Sequence, residues 1–508
     1  MHLTRVAIAN PDKLAAVFLP SGRRVTFGEL DRSANQAANA LRALGARRSD
    51  CVVFCVENDP LLLALTLGAQ RIGLYYALVS TKAAGSELAY ILEDSQARWA
   101  LLSMKTEAAG NLPLLAGSRA RVFSAGAGTR SSPLERWEPL FEGASPALPD
   151  DPSPGREMLY TSGTTGRPKG VRKPPFETPF DAADSRNAAV AQTSGMTEAS
   201  IYLSTSPLYH SAPNRYLSTA VHLGATSVVL ERFDAELALQ AIDAFKCTHS
   251  LWVPTMFHRL LRLPQEVRQR YHIDSMKAAI HGAAPCPVHV KAQMIEWWGP
   301  IVDEYYSGTE GIGATFITAK EWLAHPGSVG RSIDGVIHVL DDNGNEVQAG
   351  TVGKIYFESD ARFEYWQAPE KTSAMTSPQG WRSFGDLGRL DADGYLYLTD
   401  REAFTIVSGG VNIYPQEIED VLLQDPRVAD AAVFGIPDEE YGEEVRAVVQ
   451  LAVPESAGAA LAEALKAHCR AALGPLKVPR RIDFETELPR HATGKLYKQA
   501  LRQRYLNA

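Results

Sequence analysis

The sequence predicts an α/β protein: a large N-terminal domain of α/β-layered subdomains followed by a small α+β C-terminal domain. Three observations carry this. The chain has 508 residues, too many for one hydrophobic core, so two or more domains are expected. Through the first hundred residues, short apolar runs alternate with stretches of helical period, the pattern of a parallel sheet covered by helices. Beyond Arg401 a compact run of helix and strand signals begins afresh, about a hundred residues long and typical of one folding unit. The predicted domains are therefore 1–400 and 401–508.

In order, residues 15–27 read as a hairpin turning at Ser21-Gly22. Thr26 and Glu29 form a capping box for a helix whose inner face is Leu30, Ala34, Ala37, Leu41 and Leu44, stopped by Gly45. A strand (51–56), an apolar helix ending near Gly73, a strand (75–79), a helix through Leu88, Ile91 and Leu92, and a strand (98–102) follow. Residues 110–155 are rich in Gly, Pro, Ser and Ala and read as loops with short strands. A second α/β layer shows in strands at 203–208, 227–230, 250–253 and 277–280, with a helix at 235–245. Asp393-Gly394 is a hairpin turn. In the last unit Pro415 opens a helix with Glu417 and Glu419 near its positive end and Ile418, Val421 and Leu422 inward. Strands at 431–434 and 445–451 and a helix at 459–473 complete it.

Hydrophobic residues make up 45% and charged residues 22%, ordinary for a soluble globular protein. A net charge of −8 without a basic block argues against nucleic-acid binding. The five cysteines include no Cys-x-x-Cys pair, so neither a disulfide framework nor a zinc site is indicated, and a reducing cytoplasm fits best. No signal architecture opens the chain, and its last residues carry no peroxisomal or secretory address. The most apolar run, 60–79, contains Gln70, Arg71 and two glycines and reads as buried helix and strand, not a membrane span.

The most informative stretch is Tyr160-Thr-Ser-Gly-Thr-Thr-Gly-Arg-Pro-Lys-Gly170. Its glycines let backbone N–H groups approach an anion, its hydroxyls add donors, and Lys169 brings a mobile positive charge. A polyphosphate suits such a loop. It is not a Walker loop, because Lys169 stands three residues after Gly166. The alternative from composition alone is a flexible linker. The ordered string resembles the phosphate-binding signature of the adenylate-forming enzymes: acyl-CoA synthetases, luciferases and peptide-synthetase adenylation domains. The resemblance assigns Thr161, Ser162, Gly163, Thr164, Thr165, Gly166 and Lys169 to the nucleotide.

Further segments resemble the family's motifs in the family's order. Tyr305-Tyr306-Ser307-Gly308-Thr309-Glu310 resembles Tyr-Gly-x-Thr-Glu, with Ser307 where glycine is usual. By that match Tyr306 stacks on adenine, Thr309 bonds the α-phosphate, and Glu310, with Thr161, holds Mg²⁺; a carboxylate facing a triphosphate needs a divalent cation between them. The small residues Gly282, Ala283 and Ala284 would let a flat ring lie against the backbone. Asp386 takes the ribose hydroxyls and Arg401 the ribose from the other side, by resemblance. Read alone, Asp386 is equally a turn residue and Glu310 a solvated carboxylate. Pro489 to Lys495 resembles the last signature, Pro-x-x-x-x-Gly-Lys, which makes Lys495, Glu310 and Thr309 the catalytic set. His210, Trp252 and Pro254 lie where strands end, and the resemblance places them in the acyl pocket. Ser408, Gly409 and Gly410 would line the pantetheine channel.

The resemblance implies that a carboxylic acid attacks the α-phosphate of ATP, giving an acyl-adenylate and pyrophosphate, and that the acyl group then passes to a thiol. The C-terminal domain would be mobile, turning about a hinge where this chain has Ala403 and Phe404 instead of the usual charged residues. No carrier segment follows Lys495, which favours free coenzyme A. The wording around 281–285 and 408–415 is most like bacterial fatty-acyl and bulky-acyl CoA ligases, and favours a hydrophobic monocarboxylic acid; Arg215 alone is a candidate partner for a second carboxylate. The expected ligands are ATP, Mg²⁺, coenzyme A and a small carboxylic acid. Alternatives are a stand-alone adenylation enzyme loading a carrier protein, an aryl-acid CoA ligase, and a non-catalytic ATP-binding protein. Monomer and homodimer both remain open.

Overall fold

The computed structural model describes residues 2–115, 117–126, 132–161, 168–182, 185–454, 457–490 and 496–506. The first α/β layer is a parallel sheet in the order Glu135–Arg136, Arg121–Ser124, Trp99–Leu102, Cys51–Cys55, Tyr75–Leu78, Arg156–Glu157. Its central strands are buried on both faces, which is why they read as unbroken apolar runs. The helix Phe27–Ala43 starts at the expected capping box: Glu29 N–H donates to Thr26 Oγ1 (3.2 Å) and Thr26 N–H to Glu29 Oε2 (2.8 Å). It crosses the helix Pro60–Arg71 closely, since a Cβ on Gly68 would lie 2.7 Å from Ala37 Cβ.

The opening hairpin belongs to a different layer. Leu14–Leu19 pairs in parallel with Thr226–Leu230, more than two hundred positions later. The second sheet runs Arg331–Asp334, Ala314–Ile317, Val302–Ser307, Ala278–His281, His249–Trp252, Ile201–Ser204, Thr226–Leu230, Leu14–Leu19, Arg23–Thr26. Its strand near 203 ends at Ser204, not 208: Thr205 donates its hydroxyl to Leu251 O (2.5 Å), and Pro207 has no N–H to continue a ladder.

An antiparallel sheet of Val336–Leu340, Gly353–Glu358, Asp386–Leu390 and Leu396–Arg401 packs beside these layers. Asp391 to Tyr395 make the expected hairpin turn, with Gly394 at φ +79°. A small sheet of Leu159–Thr161, Lys169–Arg172 and Glu364–Tyr365 sits at the centre.

From Ile406 onward the chain forms its own sheet: Val411–Ile413, Ile406–Ser408, Gly442–Leu451 and Val428–Asp438, with Arg481–Glu485 added in parallel to Gly442–Leu451. The helices Pro415–Leu422 and Ala459–Leu473 cover one face through Ile418, Leu422, Leu465 and Cys469. Large α/β and small α+β parts are thus both present. No helix among the described residues is long and apolar enough to cross a membrane.

Candidate active site

A cavity of about 4500 Å³ lies between the ends of the large sheets and the C-terminal unit. Open α/β sheets bind ligands in such crevices beyond the strand ends. Lys169 stands at the start of the strand Lys169–Arg172, opposite Thr161 on its antiparallel neighbour. Both line the cavity. The expected loop residues Ser162, Gly163, Thr164, Thr165 and Gly166 lie outside the described residues. The loop's stem is fixed by side chains: Tyr160 donates to Asp94 Oδ2 (2.6 Å) and Tyr90 to Pro168 O (3.1 Å).

The strand Val302–Ser307 delivers Tyr306, Thr309 and Glu310 to the same cavity. Ser307, in place of a glycine, turns its hydroxyl to Gly313 O (2.8 Å) and leaves the turn intact. Gly308 has no room for a side chain: a Cβ there would lie 2.4 Å from the Phe384 ring and 2.7 Å from Glu310 Oε2. Glu310 is buried, and its Oε1 accepts the Tyr365 hydroxyl (2.7 Å). Among the described residues no three His, Cys, Asp or Glu side chains gather as a metal cage; a single carboxylate suits Mg²⁺, which keeps waters and substrate phosphates as its other ligands. Glu310, helped by Thr161, would hold it.

Asp386 opens the strand Asp386–Leu390 and is also buried. One of its oxygens accepts from Tyr306 Oη (2.6 Å) and the other lies 3.2 Å from Arg401 Nε. Burial and the Asp386 carboxylate raise the Tyr306 hydroxyl well above its ordinary range, so it stays a donor. Tyr306 packs edge-on against Phe384 at 5.6 Å. The three residues expected at adenine and ribose are therefore joined by one hydrogen bond and one ion pair.

Gly282, Ala283 and Ala284 follow the buried strand Ala278–His281. A Cβ on Gly282 would lie 2.6 Å from the Tyr305 ring, and Ala283 has φ +69°, a left-handed conformation that costs a non-glycine residue about 1 kcal/mol or more. Beneath them is a cluster that sequence reasoning missed: Lys291 Nζ lies 2.7 Å from Glu304 Oε2, and His281 Nε2 lies 3.4 Å from the same oxygen, all buried. Burial holds His281 well below the usual histidine range, so it is neutral. No spacing in the sequence links positions 281, 291 and 304; only the parallel pairing of their strands and one helix does.

Of the residues expected at the acyl group, His210 is the N-cap residue of the helix Ser211–Leu223 and Pro254 the first residue of the helix Pro254–Leu261. Both line the cavity. Trp252 borders it from behind: it is fully buried, donates to Ser250 Oγ (2.5 Å) and packs edge-on against Trp298 at 5.3 Å. Arg215 lies along the same wall, but already meets Glu157 and, at 3.2 Å, Asn187 Oδ1.

From the C-terminal unit, Gln416, Asp420, Arg490 and residues 496–500 face the cavity. Lys495 lies outside the described residues; Leu496 and Tyr497, which follow it, line the cavity wall. Ser408, Gly409 and Gly410 do not. They form the exposed tip of the hairpin Ile406–Ser408/Val411–Ile413, with φ +58° and +77° at the two glycines. The nucleotide residues and the face that follows Lys495 are together in this arrangement, and the Ser408–Gly410 tip is apart.

One contact across the hinge and one beside it were also invisible in the sequence. Asp400 Oδ2 accepts the Gln416 amide (3.0 Å) at the start of the helix Pro415–Leu422, whose own N-cap residue, Tyr414, provides no side-chain cap. Lys498 pairs with Glu419 (2.7 Å), both buried, and lies 5.3 Å from the Phe404 ring centre.

Comparison with known proteins agrees with this geometry. The AMP-binding enzyme family model matches residues 3–364, and that of the AMP-binding enzyme C-terminal domain matches residues 417–495. The chain belongs to the AMP-binding enzyme family. It is 29% identical to a long-chain-fatty-acid–CoA ligase of Mycobacterium tuberculosis, over 99% of this chain and 97% of the relative. It is 30% identical to a 2-succinylbenzoate–CoA ligase of Bacillus licheniformis, covering 98% of each. ATP-bound MatB from Rhodopseudomonas palustris superposes with a TM-score of 0.83 at 27% identity, over 100% of this chain and 99% of that one. The protein is an enzyme of the AMP-forming acid–CoA ligase family, and ATP binding belongs to that family's fold.

Proposed function

We propose that this enzyme activates a hydrophobic monocarboxylic acid with ATP and transfers the acyl group to coenzyme A. The observation that carries the reading is the convergence of Lys169, Glu310, Tyr306, Asp386 and Arg401 on one cavity, whose wall also includes Tyr209, Pro213, Tyr216 and Phe233. We place the division between the domains at Arg401 and assign the adenine and ribose to Tyr306, Asp386, Arg401 and the Gly282–Ala284 strap.

The acid's carboxylate oxygen attacks the α-phosphorus, and the bond to the bridging oxygen breaks as pyrophosphate leaves. Bound Mg²⁺ would neutralise charge on the phosphates. Lys169, Thr309 and Lys495 donate to the oxygens on which charge builds, an electrostatic stabilisation worth roughly 3–4 kcal/mol per donor in comparable sites. The thiolate of coenzyme A then attacks the acyl carbon and AMP leaves. The second step needs the C-terminal domain turned so that Ser408, Gly409 and Gly410 reach the acyl carbon, since in the present arrangement they stand outside the cavity. Arg215 meets Glu157, which supports an acid without a second carboxylate.

An aryl-acid substrate is the second reading. Tyr216 and Tyr305 pack on each other with ring centres 6.3 Å apart and planes tilted by 37°, and both line the cavity beside the strap, an aromatic wall against which an aryl acid could pack. Pyrophosphate release with a panel of alkyl and aryl acids, with and without coenzyme A, separates the readings. Release with medium or long alkyl acids and coenzyme A-dependent AMP formation supports the first. Preference for aryl acids supports the second, and an acyl-AMP that coenzyme A does not discharge contradicts both.

A further inference from the structure

Tyr365 drew no attention in the sequence. It occupies the two-residue strand Glu364–Tyr365, paired with Lys169–Arg172 through Val171, and is buried. Its hydroxyl donates to Glu310 Oε1 (2.7 Å), and the face of its ring carries Lys169 Nζ at 4.8 Å from the centre. One side chain thus touches both charged groups that face the triphosphate.

Burial and Lys371 hold Lys169 below its usual range, and the Glu310 carboxylate pulls the other way, since these two charges attract each other. In a partly desolvated site, unlike charges within reach collapse into an ion pair that quenches both. Here the ammonium rests on an aromatic face, where the ring quadrupole attracts it, and the carboxylate oxygen is taken by a neutral donor. The ring cannot swing aside, because Phe363 packs edge-on at 5.3 Å and the Tyr365 amide donates to Thr372 Oγ1 (2.9 Å). Glu310 Oε2 is left on the Gly308 side.

We propose that Tyr365 is a positioning residue that keeps Lys169 and Glu310 apart before nucleotide binds, so that a metal-bearing triphosphate meets two preformed opposite charges. This rests on the reading of the cavity as the nucleotide site. Phosphate oxygens then take Lys169 without an ion pair having first to break.

The test is a double-mutant cycle of Tyr365→Phe and Lys169→Met, read as calorimetric binding of Mg-ATP and as Mn²⁺ binding by electron paramagnetic resonance. In the native background Tyr365→Phe should weaken Mg-ATP about five- to tenfold, because the freed Glu310 oxygen pairs with Lys169. In the Lys169→Met background the same change should cost less than twofold. Equal losses in both backgrounds would mean that the hydroxyl acts on Glu310 alone, and no loss in either would also overturn the proposal. A second measurement needs neither the Tyr365 variant nor nucleotide: amine-reagent labelling of Lys169 in wild type and Glu310→Gln. A rise in Glu310→Gln of no more than about threefold, the through-space pull of the carboxylate alone, is expected if the charges are held apart; a rise of about tenfold or more would reveal a pre-existing ion pair and refute it. A wild type that binds no Mg-ATP while passing the labelling test would instead count against the nucleotide site.

Discussion

Replacing Asp400 with alanine should loosen the C-terminal unit from its present orientation without unfolding either part. Asp400 belongs to the strand that ends at Arg401, yet its carboxylate accepts the Gln416 amide at 3.0 Å and so caps a helix across the hinge. Losing a helix cap costs roughly 0.5–2 kcal/mol, and losing a negative charge near a helix N-terminus about 0.3–1 kcal/mol. Against this, the variant relieves repulsion between Asp400 and Asp420. The net of about 1 kcal/mol shifts the orientation equilibrium about fivefold. Fluorescence transfer between labels on the two units should report a smaller population of this arrangement. Acyl-AMP formation should fall by the same factor, while transfer from supplied acyl-AMP to coenzyme A holds or rises, and the melting temperature moves by only a few degrees. Equal slowing of both half-reactions in a folded variant would refute the latch, as would an unchanged transfer signal.

The same interface carries a pH dependence. Burial, assisted by Asp400, pushes the Asp420 carboxyl up to about 6, and burial also raises Glu419 despite its bond to Lys498. A carboxyl raised in one arrangement favours it when protonated, so this orientation should gain as pH falls from about 7 through 6 and reach its full gain near the ordinary value of about 4; Asp420→Asn should flatten the profile measured by fluorescence transfer. Glu310→Ala should impair Mg-ATP use far more than binding of a preformed acyl-adenylate, compared by calorimetry, because the adenine contacts remain; equal loss would make Glu310 structural. Lys291→Met leaves Glu304 buried without its partner and should cost about 3–5 kcal/mol in denaturant unfolding of the large domain, and less if Glu304 is also changed to Gln.

Much of the fold was legible because its signals are local. The capping box at Thr26, the apolar strands near 51, 75 and 99, and the turn at Gly394 all follow from neighbours within a few residues. The opening hairpin's place was not legible, since Leu14–Leu19 finds its partner at Thr226–Leu230 and nothing in a buried apolar strand names its neighbour. The antiparallel sheet around Val336–Leu340 was missed for a related reason: its strands are short and half exposed, so their alternation is weak. At the site, residues inside ordered motifs were visible by resemblance; Lys169, Tyr306, Glu310, Asp386 and Arg401 share one cavity, and Ser408–Gly410 stand apart from it. Tyr365, Lys291, Glu304 and Asp400 were not visible, because each works through a partner distant in sequence and none sits in a string with a chemical reason of its own.

The most direct test of the account is a single-turnover experiment with enzyme in excess over ATP, a hydrophobic acid present, and products followed by mass spectrometry. An acyl-adenylate should accumulate in stoichiometric amount before coenzyme A is added. Coenzyme A should then convert it to acyl-CoA and AMP. In Lys495→Ala the first phase should vanish while supplied acyl-adenylate is still converted. Pyrophosphate or AMP formed without an acid-derived adenylate, or an adenylate that coenzyme A cannot discharge, would contradict the central claim.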